Sequence, residues 1–159
     1  MSVTMSGDGL ASIFEAIETL TSQEVLVGIP HGEARSDSDM TNAQIGYIQE
    51  TGSPSMNLPP RPFLVPGVES CQDQTGLHLT KAADAALKGN ISAVNRHLNM
   101  AGMIAQNAVR TYFTGGHFEP LSEATLRQRL SRGRTGTNPL IDTAQLRRSV
   151  TYVIKKTGE

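Results

Sequence analysis

The chain has 159 residues and one cysteine, and hydrophobic residues make up 38% of it, with four Phe, three Tyr and no Trp. This length predicts a single domain, 1–159, with a modest and mostly aliphatic core. Cys71 alone excludes an internal disulfide, and no apolar run approaches the roughly 20 residues that span a bilayer. The first residues lack the basic and apolar regions of a secretory signal. We therefore expect a chain made in a reducing cytoplasm, with no membrane contact.

The net charge of −1 hides a marked asymmetry along the sequence. Residues 1–91 carry eleven acidic and four basic side chains, whereas residues 92–159 carry four acidic and ten basic ones. Opposite charges of this size can steer identical copies toward each other. The basic half could instead face DNA, or the two halves could neutralise each other within one fold.

The first 30 residues predict one helix and one strand. Leu10, Ile13, Phe14, Ile17 and Leu20 recur at helical spacing and predict a helix over 9–21, capped by Asp8. The short β-branched segment 24–29 predicts a strand, which Pro30 ends. The polar residues that follow predict an exposed loop over 31–42.

A short helix over 43–50 is predicted next, with Thr41 or Asn42 as its N-cap and Gly52 just after its end. Four prolines then lie within 53–62. Proline removes a backbone donor and restricts the residue before it, so this stretch is predicted as an extended, exposed loop.

The middle of the chain is predicted to be helical. One helical region runs from about Gly67 to Lys88, with Gly76 as its expected interruption. The clearest helix covers 91–115, because apolar and small residues fall there every three or four positions. A short helix capped by Ser122 follows, with Leu126 and Leu130 expected on one apolar face.

The last part of the chain combines a basic loop, one helical turn and a strand. Residues 131–139 predict an exposed loop. Asp142 or Thr143 is expected to cap a turn that runs through Arg148. The alternating segment 149–154 predicts a strand that pairs with 24–29. The predicted fold class is α+β, a small and mostly antiparallel sheet packed against a long central helix and shorter helices, with extended loops.

No pattern in the sequence predicts catalysis, a metal site or a cofactor. The four histidines have no metal-ligand spacing, Cys71 has no flanking motif and is expected to be buried or semi-buried, and Asp142 has no histidine partner nearby. The loop 132–137 lacks the Gly-Lys-Ser/Thr ending of a phosphate-binding loop. We therefore predict no catalytic, cofactor-binding or metal residues, and no enzyme activity.

The arginines are the strongest candidates for binding. Six of them are clustered late in the chain: Arg127, Arg129, Arg132, Arg134, Arg147 and Arg148. They could form a solvated basic face, make salt bridges to the acidic half of a neighbouring subunit or partner, or face DNA without reading its sequence. Aromatic residues are not interleaved with them, which argues against base stacking.

The proline-rich segment ends in a second candidate contact. Its residues Pro59–Leu64 match the general form of a polyproline ligand, but we favour a rigid loop anchored to the core by Phe63 and Leu64. Arg61 would then be held for a specific contact, with Glu50 as the expected partner.

Five motifs follow one another along the chain: Val27–Pro30, Glu50–Gly52, Pro59–Phe63, Pro120–Arg129 and Pro139–Tyr152. In this order they resemble the tail-component family of long-tailed bacteriophages, the tail-completion and head–tail joining proteins of the virion neck. The resemblance covers about residues 24–154. One departure is Ala144, where the family usually has glycine; alanine there permits a regular helix start and removes a flexible turn.

The resemblance implies a structural virion protein that completes the tail or joins it to the head as part of a ring, a hexamer or another closed ring. Tail terminator and head-closure protein are alternatives within the family, and a small phage-encoded DNA-binding protein or nuclease is an alternative of another class. Expected partners are further copies, other phage tail and connector proteins, and packaged DNA nearby, with no small-molecule substrate. The predicted location is the virion tail or neck. The loops 31–42, 53–62 and 131–139 are predicted to be the assembly loops that reach the tail tube, the connector or a neighbouring copy. The predicted interface residues are Glu50, Arg61, Phe63, Arg127, Arg129, Arg132, Arg134, Arg147 and Arg148.

Overall fold

The computed structural model describes residues 7–32, 39–115, 118–137, 139 and 144–157. Its helices are α1 (Gly7–Thr21), α2 (Asn42–Thr51), α3 (Leu64–Glu69), α4 (Gln72–Leu87), α5 (Ile91–Gly115), α6 (Glu123–Ser131) and α7 (Gln145–Ser149); its strands are β1 (Gln23–Gly28) and β2 (Thr151–Lys156). The two strands form an antiparallel sheet that packs against α5, so the predicted α+β class is confirmed. None of the helices described is long and apolar enough to cross a membrane.

The chain divides into two compact units, and the first comprises residues 1–27, 71–105 and 152–159. Small side chains dominate its core, which consists of Ala16, Ala82, Ala85, Ala86, Ala93, Val94 and Leu98. Alanines leave little bulk between helices, so α1, α4 and the first part of α5 can pack closely. Val25 of β1 and Ile154 of β2 pack against the same cluster and hold the sheet to it.

The aromatic ring of Tyr152 lies directly on the backbone of α5 in this unit. A Cβ atom added to Gly102 would collide with that ring. The Tyr152 hydroxyl donates to the Asn99 side-chain oxygen at 3.1 Å. The glycine therefore provides the space that brings β2 onto the helix.

The second unit comprises residues 28–70 and 106–151 and has an aromatic core. The rings of Phe63 and Phe113 lie 4.4 Å apart between centroids, and both side chains are fully buried. Arg110 donates from Nε and from a terminal nitrogen to the Val150 carbonyl, at 3.1 and 2.7 Å. This arginine fixes the chain between α7 and β2 to the second half of α5.

The helical region after Pro66 is interrupted earlier than predicted. The break lies at Ser70–Cys71, where α3 ends and α4 begins, and Gly76 lies inside α4. A Cβ atom at Gly76 would meet nothing within 4 Å, so the glycine reflects neither a turn nor a close contact. The prediction failed because an isolated glycine weakens a helix without ending it.

The proline-rich loop is folded back on itself where an extended chain was predicted. Ser53 and Leu58 exchange two backbone hydrogen bonds, of 2.9 and 3.0 Å, around a 3-10 turn at Pro54–Met56. Asn57 closes the turn in the left-handed conformation, which asparagine tolerates better than most residues. Only the residues after Leu58 continue without regular structure.

The C-terminal elements begin later than predicted. Ser149 belongs to α7, and the strand that pairs with β1 starts at Thr151. The N-cap of α7 is Ala144, without a side-chain cap. Asp142 and Thr143, the predicted caps, lie outside the described residues.

Replacing Ala144 with glycine should stabilise the fold by about 0.5–1 kcal/mol. Ala144 has φ of 59°, and a left-handed backbone costs an L-residue roughly 1–2 kcal/mol, part of which the greater flexibility of unfolded glycine cancels. Urea unfolding of the two chains would measure the difference. A lower midpoint for Ala144→Gly would contradict this account, and Ala124→Gly in α6 is the control that should lose stability.

The two compact units do not coincide with the two oppositely charged halves of the sequence. The first unit draws seven acidic and five basic residues from the sequence, and the second draws eight acidic and nine basic ones. Each unit combines segments of the acidic half with segments of the basic half. This distribution is the one expected if the acidic and basic halves of the sequence neutralise each other within one fold.

Candidate functional site

The Glu50 carboxylate organises the proline-rich segment from the end of α2. Helix α2 begins with a capping box, in which Thr41 and Gln44 satisfy each other's backbone N–H groups, so Thr41 is the cap among the two predicted candidates, Thr41 and Asn42. Near the helix end, Glu50 accepts hydrogen bonds from the backbone N–H groups of Phe63, Leu64 and Val65, at 2.8, 2.9 and 3.1 Å. These are the unpaired donors at the start of α3, and a carboxylate is favoured there.

The predicted pairing of Arg61 with Glu50 is therefore wrong. Arg61 donates from Nε to the Glu119 carbonyl at 2.7 Å and from a terminal nitrogen to the Pro120 carbonyl at 3.0 Å. Its backbone N–H is bonded to the Gln49 carbonyl. The side chain is only 5% exposed, so Arg61 holds the segment before α6 in place and does not project from the surface.

Arg129 is a second arginine drawn inward, where the sequence predicted an apolar face. Leu130 is exposed and Leu126 is partly buried. Arg129, which lies between these two leucines in the sequence, is only 9% exposed. Its guanidinium donates to the carbonyls of Gly136 and Pro139, at 3.0 and 3.3 Å. The prediction failed because a guanidinium whose donors find carbonyl acceptors can be buried in place of leucine.

Arg61 and Arg129 line one cleft of about 570 Å³ in the second unit. Burial lowers the pKa of Arg61; the Glu119 carboxylate opposes this change, and the positive charge of Arg129 adds to it. The remaining walls combine prolines with polar side chains: Gln49, Pro54, Asn57, Leu58, Pro59, Glu119, Pro120, Leu121, Ser122, Thr125 and Pro139. This feature, which we call the arginine cleft, brings two basic groups into one partly apolar recess.

Ser122 and its neighbours in the cleft walls were not predicted as site residues, whereas the wall residues at 54–59 and 139 lie in two of the predicted assembly loops. The wall residues come from three separate segments, and the sequence alone does not show that these segments meet. Ser122 is the N-cap of α6, as predicted, and its hydroxyl accepts from the Thr125 N–H at 3.3 Å. The one available signal was the presence of prolines in each of the segments that form the walls.

Phe63 is part of the core, so its prediction as an interface residue is wrong. The side chain is 1% exposed, and its ring packs against that of Phe113 at a tilt of 42°. Its role as an anchor of the loop is confirmed. Leu64 beside it is partly buried.

The other predicted arginines lie at the surface of the second unit. Arg127, Arg132, Arg147 and Arg148 are exposed, and Arg134 is partly buried. Arg147 and Arg148 occupy the last turn of α7, where positive charge is favourable. Of the predicted interface residues, the structure brings Arg61 and Arg129 together in the arginine cleft and leaves four arginines facing solvent.

The predicted exposed loops agree with the structure in part. His31, Gly32 and Asp39 are exposed, while Thr41 is buried as the cap of α2, and residues 33–38 lie outside the described part. In the loop 131–139 most of the described residues are exposed, and the carbonyls of Gly136 and Pro139 tie it to Arg129.

Two histidines that are distant in sequence are neighbours in the first unit. His78 of α4 and His97 of α5 place their Nδ1 atoms 3.1 Å apart, so one nitrogen donates and the other accepts. Within the described residues no group of three His, Cys, Asp or Glu side chains could hold a metal ion. Cys71 is buried, as predicted, and burial raises the pKa of its thiol.

The first unit should lose stability as the pH falls below about 6.5, because of this histidine pair. Partial desolvation lowers the pKa of His97, and the charges of Arg96, His78 and Lys81 lower it further. A lowered pKa means that the unfolded chain binds the proton more readily, so stability is lost as the pH falls from the unfolded value through the folded one. Between pH 7.5 and 5.5, the unfolding temperature should fall further for the native chain than for His97→Asn.

The control for this pH effect is His31→Asn, which changes an exposed histidine. Its unfolding temperature should follow the native profile at each pH. Parallel profiles for the native chain and His97→Asn would show that the histidine pair does not couple stability to pH.

Comparison with known proteins provides no further assignment: no protein-family profile, no curated protein and no solved structure matches the chain.

Proposed function

We propose that this chain is a structural virion protein of a bacteriophage neck or tail, which completes the tail or joins it to the head as part of a closed ring. The ordered motifs between residues 24 and 154 suggest this role. Residues of two of those motifs have structural roles: Glu50 accepts hydrogen bonds at the start of α3, and Arg61 holds the segment before α6. Ring assembly further requires surfaces that fit other copies or neighbouring proteins.

The observation that carries the proposal is an exposed apolar strip on α1. Leu10 is 42% exposed and Phe14 is 68% exposed. These residues are one turn apart, so their side chains lie side by side on the helix. A large aromatic side chain exposed beside a leucine is typical of an interaction surface, because its burial against a partner is favourable by about 1.5–3 kcal/mol.

The proposal is tested by assembly. We expect the purified chain to complete tails or connectors taken from particles that lack it, with a ring visible by electron microscopy. Phe14→Ser should reduce incorporation at least tenfold without unfolding the chain, since the side chain it removes is mostly exposed. Glu15→Gln, an exposed neighbour on α1, is the matched control and should assemble normally.

Two results would overturn the proposal. One is a chain that adds to neither tails nor connectors at any concentration tested. The other is equal incorporation of native and Phe14→Ser chains, which would remove the α1 strip as its support. Tight, salt-sensitive retention of the isolated chain on duplex DNA would favour the DNA-binding alternative, for which the four exposed arginines would be the contacts.

A further inference from the structure

We propose that the arginine cleft binds a carboxylate side chain carried by an extended peptide segment of a partner protein. Arg61 and Arg129 both line this recess, and each is at least nine-tenths buried. Buried guanidinium groups are strong partners for oxyanions, because a charge-assisted hydrogen bond in a partly desolvated site is about twice as strong as a neutral one.

Arg61 retains donors for such a ligand. Its Nε and one terminal nitrogen are used by the carbonyls of Glu119 and Pro120. The other terminal nitrogen makes no hydrogen bond to any residue that the structure describes. Because the first two bonds fix the plane of the guanidinium, the remaining N–H groups are oriented before a ligand arrives, which reduces the entropy lost on binding.

The electrostatics of the cleft favour an added negative charge. Two guanidinium groups and one carboxylate, that of Glu119, line the cleft, so its lining carries a net positive charge. The pKa of Arg61 is lowered mainly by burial; the Glu119 carboxylate opposes this lowering, and the positive charge of Arg129 adds the smallest contribution to it. Glu119 is exposed at the rim. A carboxylate placed between the two arginines would be attracted by both, with much less solvent screening than at a surface salt bridge.

The size and walls of the cleft favour a peptide over a free anion or a nucleic acid. A volume of about 570 Å³ far exceeds one carboxylate and matches the range of sites for small molecules and short segments. Leu58 and Leu121, with four prolines, provide apolar surface for a residue beside the acidic one. Phosphate backbones gain little from such walls, because they are recognised by polar and basic groups.

The test uses two blocked dipeptides, acetyl-Leu-Glu-amide and its neutral isostere acetyl-Leu-Gln-amide, added to the ¹⁵N-labelled full chain. We expect the glutamate peptide to shift the Arg61 side-chain Nε–H resonance and the amides of Asn57 and Thr125. The glutamine peptide should bind at least tenfold more weakly. Inorganic phosphate is titrated in parallel.

A charge-changing variant tests the location without removing either arginine. Gln49→Glu adds a carboxylate to the lining and should weaken binding of the glutamate peptide about tenfold, through competition for the same guanidinium groups. Gln74→Glu is the matched control, since it makes the same change at an exposed position on α4 in the other unit. The control should bind the peptide as the native chain does.

Three outcomes would overturn the proposal. The first is the absence of shifts at the cleft up to 20 mM glutamate peptide, a concentration chosen on the order of a weak single-site interaction. The second is equal binding of the two peptides, which would indicate apolar contact alone. The third is binding of phosphate without the peptide, which would assign the cleft to a small oxyanion. None of these outcomes depends on the phage assignment.

Discussion

Glu50→Ala should be among the most destabilising single substitutions in the second unit, with a loss of about 3 kcal/mol in the free energy of unfolding. The carboxylate accepts three backbone hydrogen bonds from residues 63–65. Alanine would leave the start of α3 without these acceptors and detach the proline-rich segment from α2. Chemical denaturation followed by circular dichroism would measure the loss.

Two further variants separate this carboxylate's role from a general effect of charge. Glu50→Gln keeps one acceptor oxygen but turns an amide group toward a backbone donor, so it should lose about half as much stability. Glu15→Ala removes an exposed carboxylate from α1 and should change stability by less than about 0.5 kcal/mol. If Glu50→Ala were as stable as Glu15→Ala, the three hydrogen bonds would contribute nothing net to the fold.

Gly67→Ala should cost about 2–3 kcal/mol, because α3 lies directly on the backbone of α5 at this position. An added Cβ would lie 2.7 Å from the Val109 Cα and 3.0 Å from one of its methyl groups. The first of these atoms is backbone, so no change of side-chain rotamer relieves the clash. The two helices would have to separate, which would disturb the neighbouring contact of Phe63 with Phe113.

Gly76→Ala is the matched control for this prediction. The same change occurs within a helix, but the new methyl group would meet nothing within 4 Å. We expect it to raise the free energy of unfolding by about 0.5–1 kcal/mol, because alanine favours the helix. A lower urea midpoint for Gly67→Ala and a higher one for Gly76→Ala, with unchanged m-values, would confirm that α3 lies close to the backbone of α5. Equal shifts of the two midpoints would contradict it.

Features determined by neighbouring residues were predictable from the sequence. The regular spacing of apolar and small residues predicted the full length of α5. The caps at Thr41 and Ser122 were also predicted correctly, since a cap bonds to backbone donors within three residues. Each of these features depends on chemistry that a short window of sequence contains. The pairing of the two strands and the anchoring role of Phe63 were predicted as well, although both join distant parts of the sequence, because strand-like segments and aromatic residues are few in this chain.

The long-range hydrogen-bond partners of charged side chains were not predictable. The sequence predicted a contact between Arg61 and Glu50 because opposite charges attract. In the structure, Glu50 accepts from backbone N–H groups, and Arg61 donates to carbonyls 58 and 59 residues away. The burial of Arg129 has the same origin, because its acceptors belong to a loop with no periodic pattern. The arginine cleft therefore becomes visible only when both sets of contacts are in place.

The bond between Glu50 and the start of α3 also affects how the second unit opens and closes. Helix α3 has six residues, far fewer than the 12–15 at which an isolated helix becomes marginally stable. Its first donors are satisfied from α2, so α3 cannot persist once α2 has frayed. The amide protons of residues 63–65 should thus exchange with solvent in the same opening event as α2, and these two helices form one cooperative unit although Phe63 lies thirteen positions after Glu50 in the chain.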